Sequence, residues 1–333
     1  MKKDTKQAVV LLGYACNLNC RHCEYGEEDR KLSLTERQLE QIADGFKPKK
    51  VNLMGGEPLL SPLFDRALEV FSPSPVTVQT NGLLVPQKLK QLERVRQVIV
   101  SLEGNKKWND YLRGKGTYEK VLKAIRLLKE HSIPVLLRAT VSRQSLRQVD
   151  YLLKLAEKEA DGIYFYPLLG EKFSLGEVLW LFERMSRHRN SWIDLPSYFG
   201  YLGVGGFCAA GESRLAFFPD GTISPCQWMN KFYYLGRIGD DPSLVWENVE
   251  TFCRLKRPPE DCTSCQFCWT CRGGCMLLSS FPCPLKYREF VQVREGDGFR
   301  QERARELKVL LRGVVTCAVA LFAVMLPVFA HAL

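Results

Sequence analysis

Short apolar runs alternate with amphipathic stretches over the first 190 residues of the chain. Val121, Ile125 and Leu128 recur at helical spacing, and Ser33 and Glu36 have the spacing of a capping box that begins the first helix. Runs typical of buried strands occupy residues 8–12, 50–54, 76–80, 98–102, 135–141 and 163–167. Repeated strand–helix alternation predicts a parallel sheet with helices outside it. Since a full barrel of this kind needs about eight units, the pattern predicts an α/β fold with a partial (β/α)6 barrel.

The amino-acid composition of the chain changes after this alternating region. Residues 200–299 are rich in glycine, proline and cysteine, residues 300–312 are basic, and residues 313–333 contain no Asp, Glu, Lys or Arg. The expected organisation is a partial barrel over 1–199, a small cysteine-rich domain over 200–299, a basic segment over 300–312 and an apolar tail over 313–333. A cysteine-rich domain with so many loops is expected to need metal to fold.

The apolar tail has the length of a membrane-spanning helix. Its residues, at 1.5 Å each, would extend about 31 Å, close to the hydrocarbon thickness of a bilayer. The preceding Arg300, Arg303, Arg305, Lys308 and Arg312 place the bulk of the chain on the cytoplasmic face of the cell membrane by the positive-inside rule. A single C-terminal transmembrane anchor is therefore expected, with a buried or interfacial helix as the alternative.

Composition and charge narrow the class of protein. Of 333 residues, 46% are hydrophobic and 25% are charged, which is typical of a globular chain. The net charge of +10 suits acidic partners such as an anionic membrane surface or an acidic peptide. No nucleic-acid-binding module is recognisable, so nucleic acid is not an expected partner. Thirteen cysteines, an odd number, suit metal ligation better than a disulfide framework.

The earliest cysteines form a compact group with an unusual count. Cys16, Cys20 and Cys23 have the spacing C-x3-C-x2-C directly after the first apolar run, and no further cysteine occurs before Cys208. Structural zinc sites usually take four protein ligands. Three thiolates on a short loop therefore predict a metal centre with one position left open.

Three further motifs follow at the ends of the predicted strands. They are GGEP at residues 55–58, TNG at 80–82 and SLEG at 101–104. Active sites of barrel enzymes are built at the C-terminal ends of strands. Together with the three-cysteine motif, this ordered series resembles the radical S-adenosylmethionine (SAM) superfamily.

The resemblance implies a function for the open position. Cys16, Cys20 and Cys23 would bind three irons of a [4Fe–4S] cluster, and SAM would bind the fourth through its amino and carboxylate groups. One-electron reduction would then cleave SAM to methionine and a 5′-deoxyadenosyl radical, which takes hydrogen from the substrate. The cofactors supply this chemistry, and the protein orients the reactants.

The same resemblance assigns provisional roles to other residues. Gly55, Gly56 and Glu57 would meet the SAM amino group, although a tight turn alone would explain the paired glycines. Asn81, Ser101 and Glu103 would contact the ribose and methionine parts of SAM. His22 would either stack near the adenine or lie on the surface. Asn109 stands where the family usually has histidine, and it receives no role.

The later cysteines resemble the SPASM extension, which carries auxiliary [4Fe–4S] clusters. By this resemblance Cys208, Cys226 and Cys275 would serve the nearer cluster, which is one ligand short and either has an open iron or borrows Cys268 or Cys253. The other cluster would take Cys262, Cys265, Cys271 and Cys283. A second register, in which Cys265, Cys268, Cys271 and Cys275 follow a ferredoxin-like spacing, stays open, as does a zinc module.

The expected activity is modification of a peptide or protein by radical SAM chemistry. Maturation of a haem-type or pterin-type cofactor is the alternative, followed by a membrane-tethered iron–sulfur electron carrier. Expected cofactors are SAM, its [4Fe–4S] cluster and one or two auxiliary [4Fe–4S] clusters. Expected partners are a peptide or protein substrate, the membrane and an electron donor such as flavodoxin or ferredoxin. The spacing of acids and bases identifies no catalytic base.

Overall fold

A computed structural model describes residues 5–27, 29–193, 198, 208–256, 260–265, 275 and 283. The chain divides into two compact units. The first unit contains Met1–Thr140, Arg147–Tyr164 and Ala210–Cys253. The second contains Val141–Leu146, Phe165–Ala209 and Arg254–Leu333. The domain boundaries given by composition stay a prediction.

Six strands form where the apolar runs predict them, each within one residue of the expected bounds. They are β1 (Gln7–Leu11), β2 (Val51–Met54), β3 (Val76–Thr80), β4 (Gln97–Ser101), β5 (Val135–Val141) and β6 (Gly162–Pro167). Strands β1 to β5 pair in parallel, with Leu11 opposite Met54 and Ser101 opposite Arg138. These strands are almost wholly buried, as is usual in parallel sheets with both faces covered. The predicted α/β fold is confirmed, with a mostly parallel sheet, and the partial (β/α)6 barrel stays a prediction.

Seven helices follow these strands. They are α1 (Glu36–Phe46), α2 (Phe64–Val70), α3 (Val85–Leu92), α4 (Lys106–Arg113), α5 (Thr117–Glu130), α6 (Val149–Glu159) and α7 (Leu175–Ser186). In α5 the predicted face of Val121, Ile125 and Leu128 is buried, so the helical spacing is confirmed there. Short 3-10 helices occupy Asp29–Lys31, Pro58–Leu60 and Leu146–Gln148.

The expected start of α1 is wrong by two residues. Thr35, and not Ser33, is the N-cap, and it forms the capping box with Gln38. The Ser33 hydroxyl instead donates to the carbonyl oxygen of Leu12 at 3.1 Å. Since Ser33 also pairs with Gly13 in an antiparallel bridge, it is held at the end of β1 and is not available as a cap.

The first unit contains three more strands that the apolar pattern missed. In it, β8 (Arg214–Phe217), β9 (Thr222–Ser224) and β10 (Gly236–Arg237) extend the sheet beyond β1, in the order β10–β9–β8–β1–β2–β3–β4–β5. Strand β8 pairs in parallel with β1, with Val10 opposite Phe217. The Arg214 Nε also donates to Gln7 Oε1 at 3.1 Å in a buried position. Residues beyond 200 thus provide the neighbouring strand on the side of β1 opposite β2.

The described residues include a further strand and two further helices. The strand β7 (Ser191–Ile193) and the helix α7 belong to the second unit, where Ser174 and Glu177 form a capping box for α7. Helix α8 covers Pro242–Leu255, and α9 covers Glu260–Thr263.

Within the part of the chain that the structure describes, no helix is long and apolar enough to cross a membrane. The predicted basic segment at 300–312 and transmembrane helix at 313–333 lie outside the described residues.

Candidate active site

The three-cysteine loop begins just after β1, at the C-terminal edge of the sheet. Cys16 and Cys20 are partly buried, whereas Cys23 is exposed. The Cys23 amide donates to the Cys20 carbonyl at 3.0 Å, which turns the C-x2-C pair back on itself. The thiols of all three cysteines therefore belong to one short, tightly turned segment.

Arg21 attaches the middle of this loop to the C-terminal end of α4. Its amide donates to the Leu112 carbonyl at 2.8 Å, and its Nε donates to the Tyr111 carbonyl at 2.9 Å. Carbonyls at the end of a helix lack partners within the helix, and a cation there is also favoured by the helix dipole. The guanidinium carbon lies 4.5 Å from the centre of the Tyr111 ring. Sequence reasoning missed this anchor because no spacing rule connects residue 21 with residue 111.

Two tyrosines close the loop at its ends. The rings of Tyr14 and Tyr25 stack with centroids 4.2 Å apart. Tyr14 packs in a core cluster with Val9, Leu11 and Phe218, which ties the start of the loop to the sheet. Burial raises the pKa of both phenols above the ordinary value for tyrosine.

The paired glycines of the GGEP motif allow the end of β2 to touch the cysteine loop. A Cβ on Gly55, which has φ of +145°, would lie 2.2 Å from the Gly13 carbonyl oxygen. A Cβ on Gly56 would lie 2.3 Å from the Tyr14 carbonyl oxygen. This close approach allows the Gly56 amide to donate a hydrogen bond to the Gly13 carbonyl at 2.9 Å. The structure thus gives these glycines a role toward the loop backbone, and a contact with SAM stays a prediction.

Glu57 is a buried connector between two of the motifs. Its carboxylate accepts hydrogen bonds from the Leu59 amide at 3.0 Å, the Thr80 hydroxyl at 2.7 Å and the Asn81 amide at 2.7 Å. Its own amide donates to the Ala15 carbonyl at 2.9 Å. Burial raises the pKa of this carboxyl, and the three donors oppose that shift. Glu57 therefore joins the cysteine loop to the TNG motif, which is a role that the motif assignment did not predict.

Asn81 lies beside the first cysteine. Its Nδ2 is 2.6 Å from Asn17 Oδ1 and 3.8 Å from Cys16 Sγ, and its Oδ1 accepts from the Leu83 amide at 3.0 Å. The predicted site residues Cys16, Glu57 and Asn81 are thus brought together.

The SLEG motif forms a second buried group at the same edge. Ser101 ends β4 and is 5% exposed. Glu103 accepts from Arg113 Nη1 at 2.8 Å and from the Thr140 amide at 2.8 Å, and its Oε1 lies 3.5 Å from His22 Nε2. Burial alone would raise the pKa of the Glu103 carboxyl, but His22, Arg113 and the Thr140 amide hold it below its usual value.

His22 is therefore only partly exposed, and its imidazole lies against the buried Glu103 carboxylate. Burial lowers its pKa, against the opposing effect of Glu103. Its Nδ1 and the Nε of Arg113 are buried, and neither atom has a hydrogen-bond partner among the described residues. Two buried donors or acceptors without partners beside the cysteine loop fit a site that receives a polar ligand.

Asn109, which sequence reasoning left without a role, is wholly buried. Its Oδ1 accepts from the Glu103 amide at 3.1 Å, and its Nδ2 donates to Thr117 Oγ1 at 2.9 Å. The following Asp110 accepts from the amides of Gly116 and Tyr118, both at 2.9 Å. This pair fixes the SLEG turn and the start of α5.

The donor set of the cysteine loop consists of three thiols, which fits a cluster in which each thiolate binds a different iron. Within the described ranges, no group of three or more His, Cys, Asp or Glu side chains is arranged to hold one metal ion. Thiolates that each bind a different iron do not need to converge on one ion. Burial raises the pKa of the Cys16 and Cys20 thiols, and a metal that binds them would displace their protons.

The auxiliary cysteines are only partly described. Cys226 belongs to the first unit, and Cys208, Cys262, Cys265, Cys275 and Cys283 belong to the second. The Cys265 amide donates to the Cys262 carbonyl at 3.1 Å, the same turn as in the Cys20–Cys23 pair. Cys268 and Cys271 lie outside the described residues. Which cysteine serves which auxiliary cluster stays a prediction.

Comparison with known proteins places this site in a family. The family model "Radical SAM superfamily" matches residues 10–156. A serine-type anaerobic sulfatase-maturating enzyme of Klebsiella aerogenes is 28% identical over 314 residues, covering 79% of this chain and 78% of that enzyme. The mycofactocin maturase MftC of Mycolicibacterium smegmatis is 28% identical over 306 residues, covering 81% and 78%. An AdoMet-dependent heme synthase of Methanosarcina barkeri is 27% identical over 311 residues, covering 78% and 87%.

Solved structures share the fold. The structure of anSMEcpe with bound AdoMet and the Kp18Cys peptide has a TM-score of 0.71 at 20% identity, covering 90% of this chain and 98% of that one. Streptococcus suis SuiB bound to the precursor peptide SuiA has a TM-score of 0.68 at 19% identity, covering 83% and 73%.

Fold, loop and comparisons together define an α/β iron–sulfur enzyme. Residues 10–156 match the radical SAM superfamily, as the three-cysteine motif and the motifs at the strand ends predicted. Since the relatives align over about four fifths of the chain, the likeness continues well beyond residue 156 into the segment identified as SPASM-like. The predicted class and cofactors, namely SAM, its [4Fe–4S] cluster and SPASM-type auxiliary clusters, are confirmed at the level of the family.

Proposed function

We propose that this chain cleaves SAM at the Cys16–Cys23 loop and uses the resulting hydrogen abstraction to modify a peptide or protein. The observation that carries the proposal is the joining of the cysteine loop to Glu57 and Asn81 at the C-terminal edge of the sheet. Relatives named as a sulfatase-maturating enzyme and a mycofactocin maturase support a peptide or protein substrate. A structural neighbour with a bound precursor peptide is consistent with it.

The residues of the loop would hold and orient the cofactors. Cys16, Cys20 and Cys23 would bind the cluster, which supplies one-electron reduction of SAM when present. Arg113 and His22, with unpartnered buried nitrogens, would face the polar groups of SAM. Gly55, Gly56, Glu57, Asn81, Ser101 and Glu103 would shape the same side of the site. A one-electron donor such as flavodoxin or ferredoxin belongs to this proposal.

Hydrogen transfer into the SAM-derived product tests the substrate class. The reconstituted enzyme would be incubated with SAM, dithionite and deuterated peptides from the source organism. We expect deuterium in 5′-deoxyadenosine with wild-type enzyme and none with the Cys16→Ala variant. If 5′-deoxyadenosine forms but carries no deuterium with any of the peptide fractions, peptide modification would be contradicted.

The heme synthase among the relatives gives a reason to test a second substrate class. Deuterated porphyrins would replace the peptides in the same assay. Deuterium transferred from porphyrins and not from peptides would favour maturation of a haem-type cofactor.

We also propose that residues 313–333 anchor the enzyme to the cytoplasmic face of a membrane. The length of this uncharged stretch and the basic residues before it support the anchor. A chain lacking 313–333 is expected to move from the membrane fraction to the soluble fraction. A truncated chain that still sediments with membranes would contradict the proposal.

A further inference from the structure

The side chain of Asn81 has only one orientation that satisfies its neighbours. Its oxygen accepts from the Leu83 amide at 3.0 Å, and a backbone amide is only a donor. The nitrogen end must therefore face the opposite way, toward Asn17 Oδ1 at 2.6 Å and Cys16 Sγ at 3.8 Å. The assignment of the two ends of this carboxamide thus follows from the hydrogen bonds around it.

The backbone of Asn81 is fixed as firmly as its side chain. Its amide donates to Glu57 Oε2 at 2.7 Å, and the preceding Thr80 hydroxyl donates to Glu57 Oε1 at 2.7 Å. Glu57 is 2% exposed and Asn81 is 4% exposed. A donor held in this way needs little reorganisation to bond an acceptor beside it.

The acceptor beside it changes character when Cys16 binds iron. The thiolate that ligates a metal has no proton and can only accept hydrogen bonds. The Asn81 N–H then becomes a donor to a charged sulfur, and such bonds are stronger than those between neutral groups. Hydrogen bonds to the sulfurs are among the factors that set the reduction potential of an iron–sulfur cluster.

We propose that Asn81 raises the reduction potential of the SAM-binding cluster through a hydrogen bond to Cys16. The inference rests on the proposed function, because it requires a cluster on the Cys16–Cys23 loop. One electron added to the cluster makes its sulfurs more negative, so the bond stabilises the reduced state more than the oxidised state. Asn81 is thereby a tuning residue, whereas its motif alone suggested a contact with SAM.

The test is an anaerobic redox titration of the reconstituted full-length enzyme, followed by electron paramagnetic resonance. The signal that changes on adding SAM identifies the cluster on the three-cysteine loop. Asn81→Asp keeps an oxygen for the Leu83 amide and replaces the donor by a second oxygen, and Asn81→Ala removes the donor without adding charge. We expect the midpoint potential to shift to more negative values in both variants, and further in Asn81→Asp.

Asn105→Asp is the matched control for the added charge. Asn105 is exposed and caps α4 through its Oδ1, which accepts from the Trp108 amide at 3.0 Å, so aspartate preserves the cap. The midpoint potential of the cluster in Asn105→Asp should equal that of the wild type. Unchanged potentials in both Asn81 variants, with iron content and the SAM-dependent signal retained, would overturn the proposal. Loss of iron from both variants would also overturn it, because Asn81 would then serve assembly.

The wild-type enzyme separates this inference from the proposed function. A wild type without any SAM-dependent signal would overturn the cluster on the cysteine loop, and the tuning role with it. A wild type with that signal and variants without a shift would overturn the tuning role alone.

Discussion

Buried polar side chains hold the active-site motifs together, and Glu57 is the clearest case. Its two oxygens accept from Leu59, Thr80 and Asn81, so one carboxylate serves three donors. In a Glu57→Gln variant, the new side-chain N–H group would face one of these donors, and two donors cannot form a hydrogen bond. A buried group left without its partner costs about 1–3 kcal/mol.

We therefore predict that Glu57→Gln lowers the midpoint of thermal unfolding and the iron content. The control is Glu69→Gln, which alters an exposed ion pair with Arg66 and should cost at most about 1 kcal/mol. Equal thermal stability of the two variants would contradict the role given to Glu57.

The sequence identified the residues that would bind the cofactors better than the residues that hold them in position. The spacing of Cys16, Cys20 and Cys23 and the three short motifs indicated the family. Each of these patterns lies within a few consecutive residues, so it can be read from the sequence alone. The connections of Arg21 to Tyr111 and of Asn109 to Glu103 join distant parts of the chain. No periodicity encodes such pairs, so only the folded chain reveals them.

Strand β2 meets the cysteine loop through the two glycines that follow it, Gly55 and Gly56. A Cβ on Gly56 would overlap two backbone carbonyls, of Tyr14 at 2.3 Å and Ala15 at 2.5 Å. Backbone atoms cannot move aside as a flexible side chain can. Gly56→Ala is therefore expected to cost about 1–3 kcal/mol and to displace the loop.

Iron content and the SAM-dependent resonance signal measure this displacement. Gly176→Ala is a matched control, because a Cβ at this position in α7 meets nothing within 4 Å. It should be neutral or stabilise by up to about 1 kcal/mol, because alanine favours a helix. Full cluster content in Gly56→Ala would contradict the close approach.

The start of α5 depends on Asp110 rather than on a side chain at its N-cap, which is Gly116. Asp110 accepts from the amides of Gly116 and Tyr118. We expect Asp110→Ala to lower the free energy of unfolding by about 1–2 kcal/mol, as for the loss of a helix cap. Urea unfolding would measure it against Asp44→Ala, an exposed position in α1. The same stability in both variants would rule out this capping role.

Strand positions were predictable at this scale and helix ends less so. The apolar runs located β1 to β6 within one residue because buried parallel strands are continuously apolar. The start of α1 was misplaced because Ser33 and Thr35 are both good caps. The folded chain uses Ser33 elsewhere, in a bond to Leu12.

At the scale of the whole molecule, the first unit is not continuous in sequence. Strand β1 lies between β2 and β8, and β8 comes from beyond residue 200. Strands β8 to β10 escaped prediction because they have only 4, 3 and 2 residues, which is too short to show a clear apolar pattern. Removing them would expose an edge of a buried strand.

A chain ending at residue 199 is therefore expected to aggregate or to unfold at a much lower temperature than a chain ending at 312. Thermal unfolding and light scattering of the two chains would measure this. Cooperative unfolding of the shorter chain at the same midpoint would contradict the structural role of β8.

Formation of 5′-deoxyadenosine by anaerobically reconstituted enzyme with SAM and dithionite tests SAM cleavage directly. We predict product from the wild type, with about twelve irons per chain if two auxiliary four-iron clusters are present and about eight if there is one. The product should vanish in a variant with Cys16, Cys20 and Cys23 all changed to alanine. An iron-loaded wild-type enzyme that forms no 5′-deoxyadenosine would contradict the cleavage of SAM at this loop.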